Sequence, residues 1–146
     1  MKNKGRLIIL TGLPGSGKST EANKLLRKNL LLPIKVVRIN RSSLRNMLWP
    51  GHIWSKEYES LVREVEYNLA SFFLYSNYDV IIDSTNLNDK GVNSINRWKK
   101  LRKNLTVIDL REVPLEVCLK RDMERKENKI GPEVIIKLAR TNKLLK

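Results

Sequence analysis

Gly12-Leu13-Pro14-Gly15-Ser16-Gly17-Lys18-Ser19-Thr20 fits the spacing G-x-x-x-x-G-K-[ST] at every fixed position. Those residue types in that order suit a triphosphate. Glycines let the main chain wrap closely round phosphate oxygens with its N–H groups pointing inward. Lys18 would neutralise the β and γ phosphates, and the Ser19 hydroxyl would hold Mg²⁺. A helix starting near Gly17 would add its positive N-terminal end. The candidate nucleotide ligands are therefore Gly12, Pro14, Gly15, Ser16, Gly17, Lys18, Ser19 and Thr20. A glycine-rich turn can match this pattern by chance. A strand-like run before it and a helical pattern after it argue for a nucleoside-triphosphate site.

Four other groups carry possible chemistry. Asp83 closes an apolar run and is followed by Ser84-Thr85-Asn86-Leu87-Asn88. An acid at the end of a buried strand beside such a loop is placed to hold Mg²⁺ together with Ser19; the alternative is a helix-capping acid. Asn40-Arg41-Ser42-Ser43-Leu44-Arg45 puts Arg45 one turn into a helix, facing either a crevice or solvent. In Lys120-Arg121-Asp122-Met123-Glu124-Arg125, the arginines 121 and 125 are four apart and would share a helix face. Such a pair can close over transferring phosphates, or form a solvated face with Asp122 and Glu124. Trp49-Pro50-Gly51-His52-Ile53-Trp54 is a loop with two indoles that would either stack nucleobases or tuck into the core. His52, the only histidine, is given no catalytic role.

The elements that must position these groups alternate strand and helix from end to end, which indicates a parallel α/β sheet. Strands are expected over Arg6–Thr11, Lys35–Asn40, Tyr78–Asp83 and Leu105–Leu110. Helices are expected over Glu21–Leu30, over Lys56–Ser76 with Leu61, Val65, Leu69 and Phe72 on one face, and over Asn88–Lys103 with Asn88 as cap. Two more follow. One opens at Pro114 and runs to about Glu127, and a last one opens at Pro132 and carries Val134, Leu138 and Leu145. Phe72, Trp98 and Met123 read as core. Ligands of open α/β sheets sit beyond the carboxyl ends of the strands, so residues 11–20, 40–45 and 83–88 and Arg111 are site candidates.

Composition sets the limits. A chain of 146 residues with 41% apolar and 30% charged residues is expected to be one domain, residues 1–146, with a real core. No apolar run approaches the roughly 18 residues of a membrane span, and the basic start is followed by too short an apolar run for a secretion signal. Cys118 is the only cysteine, which excludes a disulfide framework and a cysteine metal cluster. A reducing, cytoplasmic setting is expected. The net charge of +14 favours a polyanionic partner over a small acidic metabolite. Nothing in the sequence marks an oligomer interface.

Taken together, residues 12–20, Asn40-Arg41-x-x-Leu44-Arg45, Ile81-Ile82-Asp83-x-Thr85-Asn86-Leu87-Asn88, and Val113-Pro114 followed by Lys120-Arg121 and Arg125 resemble the kinase domain of bacteriophage polynucleotide kinases, a group of P-loop kinases. The likeness runs through nearly the whole chain. It implies a three-layer α/β P-loop kinase fold with strand order 2-3-1-4 and a helical lid. It also implies transfer of the ATP γ-phosphate to the 5′-hydroxyl of DNA or RNA with Mg²⁺. By that resemblance Lys18 and Ser19 are the P-loop lysine and serine, Arg45 the acceptor-side arginine, and Arg125 the lid arginine on ATP phosphates, with Arg121 beside it. One position departs. Where the family has the general-base Asp, three residues before the acceptor-side arginine, this chain has Ser42. A hydroxyl is a poor proton acceptor, so a slower kinase is expected, with Asp83 as a partial substitute base. Two other readings stay open: an ATP- and nucleic-acid-binding pseudokinase, and a P-loop kinase for a small acceptor.

Overall fold

In a computed structural model, residues 5–30, 35–51, 55–87, 94–127 and 129–144 are described. The expected cap Asn88, and His52, Trp54 and Leu145, lie outside them.

Four short apolar runs make the sheet: β1 Leu7–Thr11, β2 Val36–Ile39, β3 Asp79–Asp83 and β4 Thr106–Asp109. All pair in parallel, in the order β2-β3-β1-β4. β1 and β3 are buried along their whole length, as continuous Leu/Ile/Val runs in the middle of a parallel sheet should be. Among the described residues the helices are α1 Lys18–Leu30, α2 Arg41–Leu48, α3 Lys56–Tyr75, α4 Ser94–Lys99, α5 Leu115–Met123 and α6 Pro132–Thr141.

Strand alternation divides the core. Leu7, Ile9, Val80 and Ile82 point to one face, where Leu44 of α2, Val62, Ala70 and Leu74 of α3, and Trp98 of α4 cover them. Ile8, Leu10 and Ile81 point to the other face, against Ala22 and Leu25 of α1. A third cluster ties α5 and α6 (Cys118, Ile135, Ala139) to Leu13 and Leu87, which follow β1 and β3. The nucleotide loop is thus clamped between the sheet and the last two helices.

Three expectations are corrected. The buried stripe of α3 is Glu59, Val62, Glu66, Ala70 and Leu74. Leu61 is exposed, Phe72 is 64% exposed, and Val65 and Leu69 are only partly buried against the core. The helix is rotated by about one residue from its apolar pattern because two of its acids find arginine partners inside. α5 stops at Met123, which is 69% exposed, and not near Glu127. The buried Asp122 ends it by accepting the N–H groups of Ile130 and Gly131, each at 2.9 Å, which turns the chain back. α1 starts at Lys18, beside Gly17 and three residues ahead of the helical pattern read from Glu21, so the loop feeds the helix directly. Trp98 is core as expected, fully buried with its indole N–H on Asn86 Oδ1 at 2.8 Å.

Candidate active site

The loop after β1 needs a backbone that L side chains resist. Gly15 and Gly17 sit at φ +86° and +101°, in the left-handed region that favours glycine. At Gly15 a Cβ would also run into the Cys118 carbonyl of α5. Inside this turn the Lys18 ammonium folds back over the loop. It donates to the carbonyls of Gly12 (3.0 Å) and Leu13 (2.8 Å) and reaches Ser16 Oγ at 3.5 Å. Burial pulls its pKa down to about 8, opposed by the nearby Asp83 and reinforced by the charge of Arg125. Pro14, Gly15 and Ser16 are buried, whereas Ser19 and Thr20 are exposed in the first turn of α1.

Asp83 stands at the carboxyl end of β3, 1% exposed. Its Oδ2 accepts two hydrogen bonds from the Arg38 guanidinium, Nε at 2.8 Å and a terminal nitrogen at 2.5 Å. Its Oδ1 is buried without a protein partner. The same terminal nitrogen of Arg38 lies 3.5 Å from Ser19 Oγ. One orphaned carboxylate oxygen and one exposed hydroxyl are hard oxygen donors. They fit Mg²⁺, which keeps several waters and takes few protein ligands alongside substrate phosphates. Among the described residues no group of three or more His, Cys, Asp or Glu could hold a metal ion.

Sequence reasoning missed Arg38. Strand alternation was the available signal. Val37 and Ile39 pack on the α3 side, so the charged residue between them must project toward α1 and the loop.

The segment after β2 is tied to the same corner. Asn40 caps α2 by accepting from the Ser43 N–H at 2.8 Å and the Ser43 hydroxyl at 3.1 Å, while its amide donates to the Asp83 carbonyl at 2.7 Å. Ser42 and Arg45 therefore ride on a helix whose start is fixed to the end of β3. Arg45 is not solvated. Its guanidinium forks onto Glu59 of α3 at 2.8 and 2.5 Å. Arg41 donates to the fully buried Glu66 at 3.0 Å, and Ser84, next to Asp83, donates to the other Glu66 oxygen at 2.7 Å. Arg97 stands 3.8 Å from Glu66 and lies over the rings of Tyr67 and Trp98. Glu59 and Glu66 were also missed, because acids are expected to face water.

The expected helix face shared by Arg121 and Arg125 does not exist, since Arg125 lies beyond the end of α5. Arg121 still reaches the loop. Arg121 donates to the Gly15 carbonyl at 3.3 Å, and Arg125, 3.5 Å from Asp122, is close enough to lower the Lys18 pKa. Asn86, at φ +47°, joins β3 to the loop. Its amide donates to the Leu10 carbonyl at 2.7 Å, and the Gly12 N–H donates to the Thr85 carbonyl at 3.0 Å. Trp49 is stacked on Tyr58 at 4.4 Å and packs against the core, which favours the structural reading of that indole. Arg111 pairs with Asp109 and lines a separate cavity of about 300 Å³ with Thr11, Asn86, Lys99 and Asn142.

A family model described as an AAA domain, AAA_33, matches residues 7–141. The chain is 35% identical over 130 residues to the L-seryl-tRNA(Sec) kinase of Methanococcus maripaludis; the alignment covers 88% of this chain and 49% of that protein. A chain of the Pnkp1/Rnl/Hen1 RNA repair complex superposes with a TM-score of 0.75 at 26% identity, over 98% of this chain and 45% of that one. The Mycobacterium tuberculosis APS kinase CysC, in complex with AMPPNP and APS, shares the fold at a TM-score of 0.65 and 20% identity, over 84% of this chain and 71% of that one. This chain thus spans about half the length of the first two. With the phosphate loop, the parallel 2-3-1-4 sheet and the family match in agreement, the chain belongs to the AAA_33 family.

Proposed function

We propose that residues 1–146 form one kinase domain that transfers the γ-phosphate of ATP to the 5′-hydroxyl of DNA or RNA. The observation that carries the kinase chemistry is the meeting of Lys18, Ser19 and Asp83 at one corner, bridged by Arg38. The net charge of +14 supports a nucleic-acid acceptor. So do the likenesses to a chain of an RNA repair complex and to a tRNA-linked kinase.

In this reading the amides of Gly15, Gly17, Lys18, Ser19 and Thr20 cradle the phosphates, and Lys18 leaves the carbonyls of Gly12 and Leu13 for the β and γ oxygens. Ser19 and the orphaned Oδ1 of Asp83 would hold Mg²⁺, which would offset charge on the transferring group. Arg121 and Arg125 stabilise the developing charge from the α5 side. Arg45, oriented by Glu59, positions the acceptor. Ser42 occupies the place of a general base without supplying one. Phosphoryl transfer passes through a loose transition state in which positioning and charge carry most of the rate, so the loss slows the reaction without abolishing it. Asp83 would be a poor substitute base, because its carboxylate is engaged by the Arg38 guanidinium or, with the metal bound, would be one of the groups that hold it.

A second reading places the acceptor hydroxyl on an aminoacyl group carried by tRNA. The 35% identity to L-seryl-tRNA(Sec) kinase favours it. Labelled ATP and Mg²⁺ are incubated with a 5′-hydroxyl oligonucleotide and, separately, with seryl-tRNA. Label on the oligonucleotide supports the first reading, and label on the seryl group only supports the second. Oligonucleotide binding without transfer to any acceptor replaces both with a pseudokinase.

A further inference from the structure

The Arg38 guanidinium touches both residues assigned to the metal. One terminal nitrogen is 2.5 Å from Asp83 Oδ2 and 3.5 Å from Ser19 Oγ, and Nε adds a second bond to the same carboxylate oxygen. No likeness or motif assigns a role to this residue. We propose that Arg38 is a positioning residue that stands in for the divalent cation in the nucleotide-free protein, so that metal reaches Asp83 only together with nucleotide. The inference rests on the reading of Ser19 and Asp83 as the metal site.

Three observations support it beyond an ordinary ion pair. First, Asp83 is engaged on one side only. Both Arg38 bonds go to Oδ2, and Oδ1 is left buried and unpartnered. A carboxylate needed only for structure would have both oxygens satisfied. Second, Arg38 has somewhere to go. It lies on the edge strand β2, and its side chain is 25% exposed while that of Asp83 is 1% exposed. Asn40 fixes the main chain at Asp83, so the exchange involves the Arg38 side chain and not the strand. Third, the charges decide the order of binding. With Arg38 and Lys18 both near Asp83, the corner carries a net positive charge and repels a free divalent cation. A nucleoside triphosphate brings several negative charges and reverses that sign. The guanidinium is then drawn from the carboxylate toward phosphate oxygens, for which its fork is suited.

The test measures metal binding directly. Mn²⁺ is titrated into the native protein, Arg38→Gln, Asp83→Asn and the double variant, with and without a non-hydrolysable ATP analogue, by electron paramagnetic resonance. Without nucleotide, Arg38→Gln is expected to bind Mn²⁺ about tenfold or more tighter than the native protein, the scale of removing one unit charge a few ångströms away. The gain should vanish in Arg38→Gln/Asp83→Asn. Equal Mn²⁺ affinity in native protein and Arg38→Gln overturns the inference while leaving the metal site intact. If Asp83→Asn binds Mn²⁺ normally with the analogue, the metal-site reading itself fails. Should Arg38→Gln not fold, the native protein still decides. The arginine side-chain Nε–H resonance of Arg38 is expected to stay unchanged with Mg²⁺ alone and to move with Mg²⁺ plus analogue. A resonance that ignores both overturns the proposal.

Discussion

Lys18 is the side chain whose chemistry is most constrained by its surroundings. Its ammonium is buried against carbonyls, with a pKa near 8 instead of its ordinary 10.5. Between those two values the unfolded chain binds a proton that the folded one has released, so stability rises with pH across roughly 8 to 10.5. Below the folded value both states are charged, and the full burial penalty is present. For catalysis the sign is opposite, because the charged form is the useful one. kcat/KM for ATP is expected to fall above about pH 8, while kcat at saturating ATP holds to higher pH because bound phosphates restore the charged ammonium. Parallel pH profiles for both parameters would contradict the assignment. Lys18→Ala should remove transfer while the melting temperature changes little, since a desolvated charge is lost along with its bonds. Ser42 is the second informative residue. It lies in the first turn of α2, which has no acid of its own, so an aspartate there also favours the helix end. Ser42→Asp is expected to raise turnover by about tenfold, within the usual range for a general base, and to add an acidic limb to the pH–rate profile. An unchanged rate and profile would mean that the proton is not limiting.

At the level of elements, the proposed acceptor side is held by acids that α3 buries. Glu66 gathers Arg41, Arg97 and Ser84, and Glu59 aligns Arg45. Glu66→Gln leaves Arg41 without its charge partner inside the protein, and urea unfolding should show a loss of roughly 3–5 kcal/mol. Glu59→Gln acts on a partly exposed pair and should cost less, about 1–2 kcal/mol. Its signature is kinetic: KM for the oligonucleotide rises while KM for ATP does not. If both rise equally, Arg45 is not an acceptor-side group. These pairs also show what the sequence could reveal. The phosphate loop was legible because its function lies in consecutive residues, and the strands because a parallel sheet needs continuous apolar runs. The order 2-3-1-4 came only with the family resemblance. Arg38, Glu59 and Glu66 were not legible. Arg38 meets Asp83 across 45 residues, Arg41 meets Glu66 across 25, and Arg45 meets Glu59 across 14. Periodicity treats a charge as outward-facing, so the apolar pattern of α3 was read one residue off, with Leu61 and Phe72 inside.

For the whole molecule, the deciding quantity is charge. A net +14 is spread over a chain of 146 residues, and a field of that size acts on a polyanion long before contact. A single-stranded oligonucleotide bound at several basic side chains releases counterions from each neutralised phosphate. The logarithm of its affinity should therefore fall linearly with the logarithm of salt concentration, at about −0.7 per contact. In the proposed reading ATP would be held mainly by enclosed loop amides and a buried lysine, where screening is weaker, so its KM should respond much less to the same salt series. The contrast is more informative than either slope. A steep slope for the oligonucleotide with a shallow one for ATP places the charge on the acceptor side. Equal shallow slopes would mean that the excess charge serves solubility and that the acceptor is small. Arg125→Ala divides the molecule in the same way. It should lower turnover more than it weakens oligonucleotide binding, and leave the salt slope unchanged, because its neighbours are Lys18 and Asp122. A slope reduced by about 0.7 in that variant would count Arg125 among the phosphate contacts of the nucleic acid and move it across the site.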